Sequence, residues 1–295
     1  MNMIEVILLV LKASIMLAVF AIGLQATFAD ATFLFRRPGQ LLRAFLSMNL
    51  AMPLVALAIA WPFDLHPAVK IALVVISVSP TPPIFPNKAH KAGGKEDYTI
   101  GLLVAAAVLS IIIIPISLKI FEKITGVPLG MQAGSVAVLV LTTILLPLLV
   151  GMAVRKIAPA IADRAAKPIA VLASVLLLLC ALPVLIGLAP MVFSFLSDGR
   201  ILSLAAFALA GLIIGHLLGG PEPENRPVLA LATVCRHPAV ALAIAHANFP
   251  NQKLTAAAVF LYVIISAILS ALYLAWDKRQ QAGRATPAIK NSVKV

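Results

Sequence analysis

The sequence predicts an all-α integral membrane protein of about nine transmembrane helices. Three observations predict it. Of the 295 residues, 62% are hydrophobic and 12% charged, with a mean hydropathy of +1.06; a soluble domain is nearer half apolar and a quarter charged. The apolar residues fall in segments of about 20, the length an α-helix needs to cross hydrocarbon. The charged residues collect between those segments. A net charge of +12 could suit nucleic acid. The cations form no stripe interleaved with aromatics, however, so the expected partner is the lipid bilayer and not nucleic acid.

In chain order the spans read 4–28, 41–61, 69–91, 98–119, 131–155, 168–190, 201–219, 227–248 and 253–276. The first has no basic leader and contains Lys12, which reads as a membrane helix and not as a cleaved signal. Arg36-Arg37-Pro38-Gly39 closes the first connection. Gly93-Gly94 closes the third span and Gly219-Gly220-Pro221 the seventh. Residues 1–277 read as one transmembrane domain. Residues 278–295 are basic and contain Gly and Pro, which reads as a disordered cytoplasmic tail near anionic lipid.

Lys and Arg alternate in density between successive connections. Arg36, Arg37 and Arg43, then Lys88, Lys91 and Lys95, then Arg155, Lys156, Arg164 and Lys167, then Arg226 and the basic tail fall on one side. The other side holds Lys70, Lys119, Lys123, Arg200 and Lys253. The positive-inside bias puts the N-terminus outside and the C-terminus in the cytoplasm, in the inner or plasma membrane. Cys180 and Cys235 both fall inside apolar spans without metal or disulfide spacing, and read as small buried hydrophobes.

Two spans are interrupted. The third contains Ser79-Pro80-Thr81-Pro82-Pro83-Ile84-Phe85-Pro86, and the eighth contains Arg236-His237-Pro238. Proline lacks an N–H and clashes with the carbonyl one turn back. Pro80, Pro82, Pro83 and Pro86 therefore predict two half-helices joined by extended backbone, and Pro238 predicts the same in the eighth span. A simple kink in a buried helix is the competing reading, and it is stronger for Pro238 alone. The third and eighth spans lie five apart, an odd number, so they run in opposite directions. Each is next to last in its group, spans 1–4 and 5–9. That is the pattern of an inverted-repeat secondary transporter, whose site lies where the broken helices cross.

Several segments resemble the bile acid:sodium symporter superfamily. They are Phe20-Ala21-Ile22-Gly23-Leu24, Leu34-Phe35-Arg36-Arg37-Pro38, Asn49-Leu50-Ala51-Met52-Pro53, Pro80 through Gly94, and Ala232 to Ala245. The resemblance implies a divergent bacterial-type member with a panel domain of spans 1, 5 and 6. It implies a core domain of spans 2, 3, 4, 7, 8 and 9 holding the crossed helices, with substrate between the two. It also implies two sodium ions bound by oxygen ligands. Those positions align with Phe85, Pro86, Thr99, Leu103, Ala232, Arg236, His237 and Met48, with Asn49 one place away. Only Thr99 among the aligned ligands keeps an oxygen-bearing side chain. Sodium is therefore not expected as the coupling ion, and no other metal or cofactor is.

Arg236 is the sharpest feature. A charge at mid-membrane costs about 2.5–3.5 kcal/mol on insertion scales. Every Asp and Glu lies in a loop or at a span end. Its partners can be unwound carbonyls, water or a substrate anion. One reading makes Arg236 a forked anion donor standing in for sodium's charge; the other makes it a staple for the crossover backbone. His237 is the candidate for proton coupling, or else bonds nearby backbone. Thr233, Ser79, Thr81 and Asn49 are further candidate substrate ligands, although Ser and Thr in such helices often bond back to their own turn. Lys88, His90, Lys91 and Lys95 read as a solvated cytoplasmic face.

The expected function is carriage of a small organic anion by alternating access, proton-coupled or uniport. A sodium-dependent symporter with a remodelled ion site, and a receptor or channel, are the alternatives. An enzyme is not expected, because no buried carboxylate cluster, metal spacing or phosphate loop is present. The sequence leaves the oligomeric state open.

Overall fold

The computed structural model describes residues 3–127, 129–193, 200–252 and 254–292, and all regular structure among them is helical. The chain begins with α1 (Met3–Gly23) and the short α2 (Phe28–Thr32), started by a Thr27–Asp30 capping box. α3 (Pro38–Phe45) runs through a widened turn, Leu46–Ala51, into α4 (Met52–Ala60). Next come α5 (Pro67–Val78), α6 (Phe85–Lys91) and α7 (Glu96–Thr125). α8 (Ala133–Val140) joins α9 (Leu146–Ile157) through a second widened turn, Leu141–Leu145. α10 (Pro159–Phe193), α11 (Arg200–Leu218), α12 (Asn225–Val234), α13 (Pro238–Asn248) and α14 (Leu254–Ser292) complete the chain.

By length and composition, six described stretches can cross a membrane. They are Pro38–Ala60, Glu96–Thr125, Gly134–Ile157, Ile201–Leu218, Asn225–Asn248 and Leu254–Gln281. The spans expected at 4–28, 69–91 and 168–190 are not among these six, and residue 253 lies outside the described residues. On α7, Ile112, Ile116, Ile120 and Ile124 form an exposed stripe at four-residue spacing, while Leu103, Ala107, Ile114, Leu118 and Phe121 are buried on other faces. Water would not tolerate that stripe, and a lipid tail would. The protein is an integral membrane protein.

The widened turns were not legible as such in the sequence. Each lies just ahead of a proline at the start of the next helix, Pro53 and Pro147. A proline withholds its N–H from the preceding turn and crowds a carbonyl there, and a turn with longer ring closure relieves the clash. Pro115, by contrast, lies inside an uninterrupted α7. Pro80, Pro82, Pro83 and the single Pro238 accompany breaks, whereas Pro115 does not.

α1 packs along α9 and α10. Gly23 and Gly151 allow the α1–α9 approach, since a Cβ on Gly151 would lie 2.8 Å from the Gly23 backbone. The largest core cluster joins α4, α5, α7, α8, α11, α12, α13 and α14 through Ile76, Val136, Phe207, Val234, Ile244 and Tyr262 among others. Gly215 of α11 rests on the Ala230 backbone of α12. At the end bearing the basic connections, Lys95 pairs with Glu224 at 2.7 Å, linking the start of α7 to that of α12. Gln40 and Asn225 both donate to the Glu222 carboxylate. The pairing holds Glu224 below and Lys95 above their ordinary pKa ranges.

Within the described residues α14 continues to Ser292, so the described part of the stretch expected to be irregular is helical, and residues 293–295 lie outside the described residues. Lys278, Arg279, Gln280, Gln281 and Ala282 are good helix formers, and Gln281 donates one turn back to Asp277 at 2.8 Å. Cys180 and Cys235 are free and buried, as expected.

We expect Gly151→Leu to destabilise the protein by about 1–3 kcal/mol through overpacking against α1. Gly134→Leu, where an added Cβ meets nothing within 4 Å, should be near neutral. Thermal unfolding of detergent-solubilised protein checks the contrast.

Candidate functional site

The site grows from carbonyls that prolines leave without donors. In a continuous helix each carbonyl accepts from the N–H four residues on. The Ser79 carbonyl would need Pro83, and the Val234 carbonyl would need Pro238, neither of which has an N–H. In a widened turn the donor lies five residues on. For Met48 that residue is Pro53, again with none. Buried orphan carbonyls are costly, so each must find another donor.

Arg236 supplies most of them. Its Nε donates to the Thr233 carbonyl at 2.8 Å, its Nη1 to the Ser79 carbonyl at 2.9 Å and its Nη2 to the Met48 carbonyl at 2.8 Å. The side chain therefore joins three elements: the end of α12, the end of α5 and the turn between α3 and α4. Thr233 is available because the His237 N–H, its ordinary helical partner, turns away to the Pro80 carbonyl at 2.8 Å. Tyr262 of α14 covers the remaining orphan, its hydroxyl donating to the Val234 carbonyl at 2.5 Å. Ser47 and Thr233 add a hydroxyl pair at 2.6 Å between the widened turn and α12.

The two interrupted spans thus meet, with extended backbone at Ser79, Cys235 and His237. Pro80, Pro82 and Pro83 lie in the first break, but Pro86 does not. It sits in the first turn of α6, where a missing N–H costs nothing. Pro238 likewise opens α13. The helix ends facing Arg236 are the carbonyl ends of α5 and α12. Their partial negative charge favours a cation, and it compensates the guanidinium where no carboxylate is within reach.

The other expected site residues divide. Ser79 is buried and its hydroxyl bonds back to Val75 at 2.6 Å, and Thr233 also bonds back to Leu229 at 2.8 Å. Thr81 is buried with an unpartnered hydroxyl, and His237 is 2% exposed with both ring nitrogens unpartnered. Asn49 does not join the crossing. It faces a small cleft with Leu34, Phe45 and Leu102, because the helical step to Met48 turns it about 100° away. The backbone of Met48, not a side chain at 49, reaches Arg236.

Sequence reasoning missed a cavity of about 330 Å³ with a mixed polar and apolar lining between the end of α1, α6 and the start of α7. Gln25, Pro86, His90, Lys91, Glu96 and Thr99 line it. His90 and Lys91 are exposed, as expected of a solvated face, but Lys88 is not fully so. Its ammonium turns inward and donates to the Cys235 sulfur at 3.5 Å. Lys88 carried no distinguishing signal, since its neighbours are also basic.

A family model described as the Sodium Bile acid symporter family matches residues 13–194. No curated protein matches the chain. The matched segment contains the first break, α6 and the cavity-lining part of α7, and it stops short of Arg236.

Tyr262→Phe leaves the Val234 carbonyl buried without a donor and should cost about 1–3 kcal/mol. Arg236→Ala uncovers three carbonyls and should cost more. Arg236→Lys should fall between wild type and alanine, because an ammonium lacks the planar fork that reaches three carbonyls. Melting temperatures in detergent rank the three variants, and equal stability of Arg236→Ala and wild type would contradict the staple.

Proposed function

The chain belongs to the sodium bile acid symporter family, and from that premise we propose a secondary carrier of a small organic anion whose sodium sites are replaced by a fixed internal cation. Family membership makes it a membrane transporter; the anion, the coupling and the geometry of transport are the reading advanced here. The guanidinium of Arg236 is the observation that carries it. A sodium ion binds by collecting oxygens from separate chain segments. Arg236 does the same with carbonyls of Thr233, Ser79 and Met48. The charge is permanent, so no ion need enter or leave for the crossing to hold.

The positions that align with sodium ligands support the same reading. Phe85, Met48 and Ala232 pack in one buried apolar cluster, and Leu103 is buried in another. None offers a side-chain oxygen. A remodelled sodium site is the second reading, favoured by Thr99, whose buried hydroxyl lacks a partner and borders the cavity. The close packing of α1 with α9 and α10 supports the panel of a panel-and-core arrangement, with α10 also meeting α14, and nine spans remain part of this reading. Residues 1–277 form that unit in this reading. The cavity between α1 and the α6–α7 corner then lies between the two parts, on the cytoplasmic side if the basic connections face inward.

His237 is the group for a proton-coupled step. It is buried at the crossing, its ring nitrogens are unpartnered, and it adjoins the residue that fixes the charge.

Proteoliposomes loaded with labelled monocarboxylates, dicarboxylates or sulfonates test the carrier. We expect saturable flux and counterflow at equal rates in sodium and choline media. Sodium stimulation would favour the remodelled ion site, non-saturable conduction a channel, and binding without flux a receptor. If His237 couples protons, uptake rises with an imposed proton gradient and His237→Gln abolishes that response while keeping counterflow. A flux indifferent to the gradient in wild type leaves uniport.

A further inference from the structure

Among the described residues, Lys88 is the cation at the crossing that has no oxygen acceptor and no ion pair. Arg236 beside it is committed, with a carbonyl on each of its three nitrogens. Lys88 has three N–H donors, and its only acceptor among the described residues is the sulfur of Cys235 at 3.5 Å. A thiol sulfur is a weak acceptor. The ion pairs among the described residues are Lys95–Glu224 and Arg155–Asp163, and Lys88 belongs to neither.

The ammonium is also deep. Cys235 follows the ten residues of α12, which starts at the end bearing the basic connections. Ten residues of helix rise about 15 Å, half of a hydrocarbon core of about 30 Å. By meeting Cys235, the Lys88 ammonium reaches that depth, although its neighbours His90 and Lys91 are exposed. An uncompensated charge there is expensive, and it marks a functional position.

Exposed residues flank both breaks. Ile84 lies one turn before Lys88 and is 40% exposed, between the buried Pro83 and Phe85. Across the crossing, Ala239 is exposed in the first turn of α13. Each break therefore has an exposed residue within its first helical turn, and Lys88, itself half-buried, reaches from the first break to Cys235 in the second.

We propose that Lys88 binds the anionic group of the transported solute where α6 meets the break at 235–237, a carboxylate, sulfonate or phosphate oxygen displacing the Cys235 sulfur. The proposal rests on the anion-carrier reading and divides the labour between two cations. Arg236 holds the crossing together, and Lys88 takes the substrate. A short, oxygen-rich anion fits this better than a neutral solute, because its charge repays the depth of the ammonium.

Cys235 reports on the site without knowledge of the solute. In a Cys180→Ser background it is the only thiol. It is treated with an anionic reagent, sulfonatoethyl methanethiosulfonate, and with a cationic one, trimethylammonioethyl methanethiosulfonate. In each case the thiolate attacks the sulfenyl sulfur, forms a mixed disulfide and releases methanesulfinate. Rates in proteoliposomes are divided by those for free cysteine. Any effect of Lys88 on thiol ionisation cancels in the ratio, leaving the local preference for an anion.

We expect the anionic reagent to be favoured by about tenfold or more. Lys88→Gln should abolish the preference and Lys88→Arg should keep it, with size-exclusion profiles showing both variants folded. No preference, a preference unchanged in Lys88→Gln, or no reaction at Cys235 with either reagent overturns the proposal. No flux is measured, so loss of the carrier reading and loss of the Lys88 site are separate results. Absent counterflow with intact charge selection removes the first alone. Counterflow without selection removes the second alone.

Discussion

Everything at the crossing follows from N–H groups that prolines do not have. Two spans are broken inside hydrocarbon, where irregular backbone survives only if its polar groups are satisfied within the protein. The carbonyls of Ser79, Val234 and Met48 lose their helical donors to Pro83, Pro238 and Pro53. One arginine and one tyrosine replace those donors. Arg236 suits the task because its donors diverge in a plane from a single point. Its charge, costly elsewhere in the membrane, is matched by the carbonyl ends of α5 and α12. The same residue thus solves a backbone problem and supplies a fixed positive charge.

Those two roles explain why the neighbouring positions could become apolar. An ion site needs several oxygens converging on one point and a rigid cavity around it. Once a guanidinium collects carbonyls from three segments, side-chain oxygens at 85, 86, 103 and 232 would be buried without a partner. Unsatisfied polar groups cost about 1–3 kcal/mol each, whereas Phe85 and Ala232 gain by packing with Met48, Ala89 and Val228. In the proposed reading, ion ligands and fixed cation are alternatives, and a chain that has one is relieved of the other.

The first break was legible in the sequence because clustered prolines act locally, and the second because its lone Pro238 stands beside Arg236 and His237 in a matched position. So was the meeting of the third and eighth spans, which follows from their matched placement. Three features were not legible. The widened turns depend on how a helix accommodates a proline ahead of it, and the same residue type passes unnoticed in α7 at Pro115. The choice between Met48 and Asn49 turns on about 100° of helix rotation, which aligned position alone does not decide. Lys88 looks like its basic neighbours until α6, only seven residues long, aims it at Cys235. The backbone-staple role of Arg236 was one of two open readings. Geometry favours it because the three carbonyls lie on elements distant in sequence.

The staple also constrains how the molecule can move. Hydrogen bonds from one side chain to α12, the end of α5 and the α3–α4 turn make relative motion of those elements expensive. Tyr262 adds α14, and the Pro80–His237 backbone bond closes the remaining gap. Any rearrangement that exposes the crossing to alternate sides must leave this unit intact. It must fall where contacts are made by side chains of small bulk or separated by open space. The cavity between α1 and the α6–α7 corner is such a boundary. α1 itself is bound closely to α9 through Gly23 and Gly151, and so is carried with that partner. In the proposed carrier, rigid-body rocking of α1 and α9 against the stapled unit would preserve every bond that Arg236 makes.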